Sequence, residues 1–401
     1  MLTNVVKKCR KSFGVIIQRN ISVCIVGSGP SGFYAAKYLK AQQKEFDTPV
    51  TIDIFERLPT PYGLVRSGVA PDHPEVKNVE HDFADVMASN KESVRFLGNV
   101  CVGRDIQIEE LRSAYDVIVL AYGCDSDKQL PVSIRGTHLD GIMSAREFVA
   151  WYNSHPDFVG LTKKIKKFVS NECRVVIIGQ GNVALDCARI LAKGSKGLYS
   201  TDIANHFISM QSLQDGVCHT SVIGRRGHVQ GAFTIKELRE LSKLQGEGYD
   251  VQLCVSEDEL ARGSNQSSMD EIASSRPKTR IDKLLRTAAT VKISPEISKT
   301  ISLRFLLNPI EFLPQKDDHS RVGSVVLERT KLEGEPGKQV AVGTGVTEVI
   351  PADFVLTSIG YKGVKIPGLE SFFDDRAGVV KNVHGKIESK NGVYVTGWLK
   401  R

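Results

Sequence analysis

Gly27, Gly29 and Gly32 form a GxGxxG turn between an apolar run at residues 23–26 and a helical pattern that begins at Pro30. That strand–turn–helix setting is what a pyrophosphate cradle requires. The first glycine permits the tight turn and the second lets a phosphate approach the backbone. The third lets the helix pack on the strand, and the helix N-terminus faces the phosphates. Glu56 closes a second apolar run, residues 50–55, where a carboxylate can hold ribose hydroxyls. This first site suits FAD or NAD, because Glu56 would repel a 2′-phosphate.

A second turn of this kind follows the apolar run at residues 174–178. Here Gly179, Gln180, Gly181, Asn182, Val183 and Ala184 spell GxGxxA, and a helical pattern continues from them. The next strand, residues 220–223, ends in Gly224-Arg225-Arg226-Gly227. Two arginines stand where an NAD site would place an acid. A guanidinium pairs bidentately with phosphate and keeps its proton. Arg225 and Arg226 therefore point to a 2′-phosphate, and the second site to NADP.

Strands and helices must carry these turns. Residues 116–120 (DVIVL) read as a buried strand ending in Ala121-Tyr122-Gly123, a pattern typical of flavin-binding doubly wound domains. Residues 58–79 hold Pro59, Pro61, Pro71 and Pro74 and read as a structured loop that would pass over a bound cofactor. Residues 77–87 read as a helix, 94–102 as a strand with a turn at Gly98-Asn99, and 144–171 as helical. Lys163, Lys164, Lys166 and Lys167 read as a solvated helix face. Residues 234–244 form an amphipathic helix. In 256–290, Arg276, Lys278, Arg280, Lys283 and Arg286 punctuate a helix that could dock an acidic partner. Residues 303–307, 321–331, 353–357 and 392–396 read as strands.

The chain has 401 residues, 41% of them hydrophobic and 25% charged, enough for two or three domains with sizeable cores. No apolar run approaches the ~18 residues of a membrane helix. The net charge of +7 fits anionic partners such as nucleotides or an acidic protein. There is no nucleic-acid motif. The eight cysteines form no CxxC, which argues against a redox dithiol, a zinc ribbon and a cysteine-ligated cluster, and no metal site is expected. The first twenty residues carry Lys7, Lys8, Arg10, Lys11 and Arg19, with no acid before Glu45. That composition predicts a mitochondrial presequence over residues 1–20.

The runs VGSGPSGFYAAKYL, PYGLVRSGVAPDHPEVKNV, FLGNVCVGRDI, IIGQGNVALDCARIL, VIGRRGHVQGAFTIKELREL and the ending SIGY…GVYVTGWLKR resemble the mitochondrial adrenodoxin/ferredoxin–NADP reductase family over roughly residues 21–401. The resemblance implies an α/β fold of two doubly wound, Rossmann-like nucleotide-binding domains. The FAD domain would be discontinuous, residues 21–145 and 350–401, with an NADP domain, 146–349, inserted. It implies a soluble FAD enzyme that takes hydride from NADPH and passes single electrons to an acidic, adrenodoxin-like [2Fe-2S] ferredoxin. The setting would be the mitochondrial matrix, peripheral to the inner membrane.

By matching positions, FAD would be held by Gly27, Gly29, Ser31, Gly32, Glu56, Leu64, Val102 and Trp398. NADP would be held by Gly179, Gln180, Gly181, Asn182, Val183, Arg225, Arg226 and Glu237. His73 and Asp186 match residues beside the flavin–nicotinamide region, the catalytic candidates. Arg239, Arg276 and Arg280 match positions that dock ferredoxin. The family pattern continues past GWLKR with a Gly-Pro-Thr-Gly turn and a helix. The resemblance therefore also predicts a shortened FAD domain with weak flavin retention. The alternative is a non-catalytic NADP- or ferredoxin-binding form. A glutamate-synthase-like small subunit shares both glycine turns, but it would carry N-terminal cysteine clusters that this chain lacks.

Overall fold

The computed structural model describes residues 20–46, 48–170, 172–292, 294–388 and 391–401. The presequence predicted over residues 1–20 lies outside them, save Asn20. The chain divides into two compact units. Over the described residues, the first comprises residues 20–69, 73–127 and 361–401, and the second comprises residues 70–72 and 128–360.

The first unit is built on a five-stranded parallel sheet. Its labelled strands are β1 (Ile21–Val26), β2 (Val50–Phe55), β3 (Val94–Leu97) and β4 (Val117–Leu120). The order is the strand Val393–Val395, then β4, β1, β2 and β3. β1 is therefore central, with β2 on one side and β4 on the other, all in parallel register. Strands buried on both faces read as continuous apolar runs, as VIVL does in β4. The helices are α1 (Pro30–Phe46), α2 (Val79–Ala88) and α3 (Ile108–Ala114). Pro30 starts α1, where its fixed φ suits a first helical turn. Phe33 of α1 stacks on Phe83 of α2, with ring centroids 5.0 Å apart.

The second unit holds a six-stranded parallel sheet. Its strands are β5 (Ile142–Ser144), β6 (Arg174–Ile178), β7 (His219–Gly224), β8 (Val251–Val255) and β9 (Lys299–Phe305). An antiparallel ribbon of β10 (Leu307–Pro314), β11 (Val322–Glu333) and β12 (Val340–Pro351) follows, then β13 (Phe354–Thr357) returns to the sheet. The sheet order is β5, β13, β6, β7, β9, β8. Its helices include α4 (Ala145–Tyr152), α5 (Asn182–Leu198), α6 (Ile235–Lys243) and α7 (Arg276–Ala289).

The sequence reading places the domain boundaries at 145/146 and 349/350, and the two compact units divide the chain elsewhere. The chain crosses at 127/128 and 360/361. The reason is strand pairing: β13 lies between β5 and β6, so both flanking strands belong to the second sheet. Some elements also differ from expectation. The loop 58–79 contains two one-turn helices, Leu64–Ser67 and Pro74–Lys77. The strand expected over 94–102 stops at Leu97, and Asn99 turns with φ 58°.

Candidate functional site

The first glycine turn has the geometry that its spacing requires. Gly27 has φ +105°, and a Cβ there would lie 2.6 Å from the Ala121 carbonyl oxygen. A Cβ on Gly32 would lie 2.1 Å from the Gly27 carbonyl oxygen, so α1 packs on β1 only because that position is bare. Around Gly29 the situation is opposite: a Cβ there would meet nothing within 4 Å. That open space at a helix N-terminus is the feature of a phosphate cradle.

Glu56 leaves the end of β2 and folds back to this turn. Its Oε2 accepts from the Ser28 N–H at 3.1 Å and the Ser28 hydroxyl at 2.7 Å, and its Oε1 accepts from the Leu58 N–H at 3.0 Å. The carboxylate is thereby fixed beside the cradle. The loop 58–79 is tied to the turn, since the Tyr62 N–H donates to the Ser28 carbonyl at 3.0 Å. A Cβ on Gly63 would sit 3.0 Å from the Gly29 Cα, and Leu64 opens the next helical turn, partly exposed.

From the chain's other end, Gly397 (φ +70°) approaches so closely that a Cβ would lie 2.2 Å from the Ser31 hydroxyl. Its neighbour Trp398 is 54% exposed, with its ring 5.6 Å from Tyr361. Val102 is buried in one cluster with Val26, Phe55 and Leu399. The structure therefore gathers Gly27, Gly29, Ser31, Gly32, Glu56, Leu64, Val102 and the turn of Trp398 around one end of the first sheet. Tyr122 adds a buried hydroxyl that makes no hydrogen bond, on the residue whose Cα faces Gly27. Burial pushes its phenol well above the ordinary range. An open cradle, a fixed carboxylate and an unsatisfied buried hydroxyl fit a dinucleotide such as FAD.

The second turn repeats the plan on β6 and α5. Gly179 has φ +122°, and a Cβ there would lie 2.0 Å from the Ser358 carbonyl oxygen, while Gly181 has open space around it. Gly181 precedes the first helical residue, Asn182. Asn182 Oδ1 accepts from the Thr234 N–H at 2.8 Å, and the Gln180 carbonyl accepts from Ala232 N–H at 2.8 Å, so residues 232–234 line this cradle. Val183 packs against the main core. The Gln180 side chain donates to the Arg304 carbonyl at 2.8 Å, tying strand ends together. Glu237 accepts from the Thr234 hydroxyl at the start of α6.

Arg225 and Arg226 follow β7, both exposed, and among the described residues neither guanidinium has an ion-pair or hydrogen-bond partner. Their backbone is pinned instead. The Arg225 carbonyl accepts from the Thr330 hydroxyl at 2.7 Å and the Arg226 carbonyl from the Leu306 N–H at 3.1 Å. Two free guanidiniums on a fixed backbone beside an open glycine cradle fit the 2′-phosphate of NADP.

His73 belongs to the first unit and Asp186 to the second. His73 Nδ1 lies 3.1 Å from Glu75 Oε1. Asp186 Oδ1 lies 2.8 Å from Nη1 of Arg189, a fully buried arginine of α5. Arg189 also grips Asp72, and Lys193 donates to Asp72 at 2.9 Å. Asp72 is held well below the usual carboxylate range by Arg189 and Lys193, against the opposing effect of burial. This cluster was not foreseen from the sequence, since Asp72 and Arg189 lie 117 positions apart.

On α7 the structure sorts the five basic residues. Lys278 is bound to Glu271, and Arg286 to Asp282 and Ser264. Arg276, Arg280 and Lys283 are exposed, and among the described residues no ion pair involves them. Their i, i+4, i+7 spacing puts them on one face. Arg239 is exposed on α6, which packs beside α7. No group of His, Cys, Asp and Glu among the described residues could hold a metal ion. Nor, among the described residues, is any helix long and apolar enough to cross a membrane.

Residues 21–252 match the family model described as pyridine nucleotide-disulphide oxidoreductase. Among curated proteins, the chain is 43% identical to the mitochondrial NADPH:adrenodoxin oxidoreductase of Arabidopsis thaliana, covering 97% of this chain and 79% of that protein. It is 40% identical to the human mitochondrial NADPH:adrenodoxin oxidoreductase, over 96% and 74%. Among solved structures, Mycobacterium tuberculosis FprA in complex with NADPH superposes with TM-score 0.85 at 40% identity, covering 95% of this chain and 79% of that one. The chain belongs to the adrenodoxin/ferredoxin–NADP reductase family of pyridine-nucleotide oxidoreductases. It is an oxidoreductase, and its cofactors are FAD and NADP(H).

Proposed function

We propose that this chain takes hydride from NADPH and delivers single electrons to an acidic, adrenodoxin-like [2Fe-2S] ferredoxin. The observation that carries the reading is the contrast between its two cradles. One is closed by the fixed carboxylate of Glu56 and the other by the free guanidiniums of Arg225 and Arg226. A carboxylate repels a 2′-phosphate and accepts from ribose hydroxyls; a pair of guanidiniums does the reverse.

FAD, when bound, supplies the exchange between two-electron and one-electron chemistry. The protein supplies position and electrostatics. Gly29 would leave room for the FAD pyrophosphate, Glu56 would hold the ribose, and Ser31, Leu64, Val102 and Trp398 would complete the FAD site. Gly181 and the start of α5 receive the NADP pyrophosphate, with Asn182 holding the 232–234 segment in place. His73 in the first unit and Asp186 in the second are the candidate residues for the hydride-transfer step, and the charge on Asp186 is balanced by Arg189. Arg239, Arg276 and Arg280 steer the ferredoxin, with Lys283 extending the same face.

The mitochondrial setting, with a presequence over residues 1–20 and peripheral contact with the inner membrane, is supported by the basic, acid-poor start of the chain. The names of the plant and human relatives point the same way.

The test is spectroscopic. The purified protein should be yellow, and anaerobic NADPH should bleach its flavin absorbance; added ferredoxin should restore it. A colourless protein that still binds NADPH would replace this reading with the non-catalytic one.

A further inference from the structure

His228 lies two residues beyond Arg226, in a short turn, and its side chain is fully buried. Its Nε2 lies 2.9 Å from Oδ1 of Asp282. A carboxylate at this pH only accepts, so Nε2 carries the hydrogen. The other ring nitrogen, Nδ1, is buried and makes no hydrogen bond. The ring otherwise meets the edge of Phe305 at the end of β9, centroids 5.9 Å apart. Asp282 is therefore the polar anchor of this ring. Asp282 sits in α7 between Arg280 and Lys283, pointing inward from the face that those residues present.

A second tie runs parallel. Gln230 Nε2 donates to Glu271 at 3.3 Å, and Glu271 accepts from Lys278 of α7. The segment after the arginine turn is thus fastened to α7 at two places, Asp282 and Lys278. The turn itself is pinned from the other side by Thr330 and Leu306.

We infer that His228 and Asp282 are positioning residues shared by two sites: their hydrogen bond holds the turn of Arg225 and Arg226 and the helix of Arg276, Arg280 and Lys283 in one fixed register. Neither residue touches nucleotide or partner. The inference rests on the proposed roles of those arginines. Burial keeps the imidazole neutral by lowering its pKa, against the pull of Asp282, so the ring acts as a donor and not as a charge. Its loss leaves Asp282 bound only to Arg286 of its own helix, so the tie between the turn and α7 is gone and the two can move independently.

The prediction has a sign that electrostatics alone would not give. Removing Asp282 takes an acid off a cationic face, which by charge should strengthen binding of an acidic ferredoxin. The positioning role predicts the opposite. The experiment uses the full holoprotein and titrates it with NADP+, NAD+ and an acidic [2Fe-2S] ferredoxin. In Asp282→Ala and in His228→Phe, which keeps a ring but lacks the donor, ferredoxin affinity should fall threefold or more. The NADP+ to NAD+ affinity ratio should fall by a similar factor. Asp282→Asn retains an acceptor and should restore both to within twofold. Tighter ferredoxin binding in Asp282→Ala would overturn the inference, as would an unchanged nucleotide ratio or no rescue by Asp282→Asn. Arg225→Ala and Arg280→Glu, measured alongside, separate the causes. If those two respond and Asp282→Ala does not, the shared register alone is wrong. If neither responds, the roles of the arginines fall, and the inference with them.

Discussion

Arg189 holds Asp72 by two parallel hydrogen bonds, Nε to Oδ2 at 2.8 Å and Nη2 to Oδ1 at 3.0 Å, with the guanidinium fully out of contact with solvent. The remaining charge is spread over Asp186, Glu240 and Lys193. Removing one partner from a buried pair strands the other charge, at a cost of about 3–5 kcal/mol. Arg189→Met should therefore lower the unfolding free energy of the second unit by about that amount in urea titration. A loss below about 1 kcal/mol would mean that water reaches the cluster and screens it.

Nucleotide preference should reside in the arginine turn. Charge-assisted hydrogen bonds contribute roughly 1.5–3 kcal/mol each. The Arg225→Ala, Arg226→Ala pair should lower the kcat/KM ratio of NADPH over NADH by at least about a hundredfold. Most of the change should appear in KM for NADPH, because the contact is made equally in ground and transition states. An unaltered ratio sinks the assignment.

Partner docking should separate from hydride transfer. Arg280→Glu reverses a charge on the exposed face of α7 and leaves both cradles intact. Ferredoxin-dependent turnover should fall at least about tenfold at low salt, and the gap to the natural chain should shrink as salt screens the face. Reduction of a small inorganic oxidant should be unaffected. Equal losses in the two assays would rule the docking role out.

Acid should weaken the second unit through a particular carboxylate. Glu271 is almost fully buried, which alone would raise its pKa. Lys278, the Gly337 N–H, Gln339 and Gln230 together pull it down to about 2. A depressed carboxylate contributes stability that is present above its unfolded pKa, near 4.3, and is lost as pH falls through the folded value. The Glu271→Gln variant should be less stable than the natural chain at pH 7, with the difference narrowing between about pH 4 and pH 2. A gap that stays constant over that window would show that the ionised form contributes nothing.

These predictions draw unequally on sequence and structure. Both glycine turns, Glu56 and the arginine pair were legible because each is a local pattern: an apolar run, a fixed glycine spacing, a charge just past a strand. The unit boundaries were not, because β5 pairs with β13, more than two hundred residues away, and parallel pairing leaves no local signal. β12 carries no strand signal in the sequence, because it is exposed along most of its length and interrupted by Gly343 and Gly345, with no alternating face. On α7 the sequence showed five basic residues but not which were spent. Only the folded chain shows Lys278 bound to Glu271 and Arg286 to Asp282, with Arg276, Arg280 and Lys283 left exposed. Glu237, matched to a nucleotide contact, is found bound to Thr234 at the start of α6.

The two glycines of the first cradle should respond to the same substitution in different ways. A methyl group on Gly32 would collide with the Gly27 carbonyl at 2.1 Å, so Gly32→Ala must push α1 off β1 and should destabilise the first unit. A methyl group on Gly29 meets nothing within 4 Å, and its backbone is not left-handed, so Gly29→Ala should fold with a melting temperature close to that of the natural chain. It should nevertheless bind FAD at least about tenfold more weakly, because the methyl occupies the space where the pyrophosphate approaches the backbone. Flavin content and thermal melting, measured on both variants, separate the two roles. If Gly29→Ala keeps its full flavin, the open space over that residue is not the pyrophosphate site.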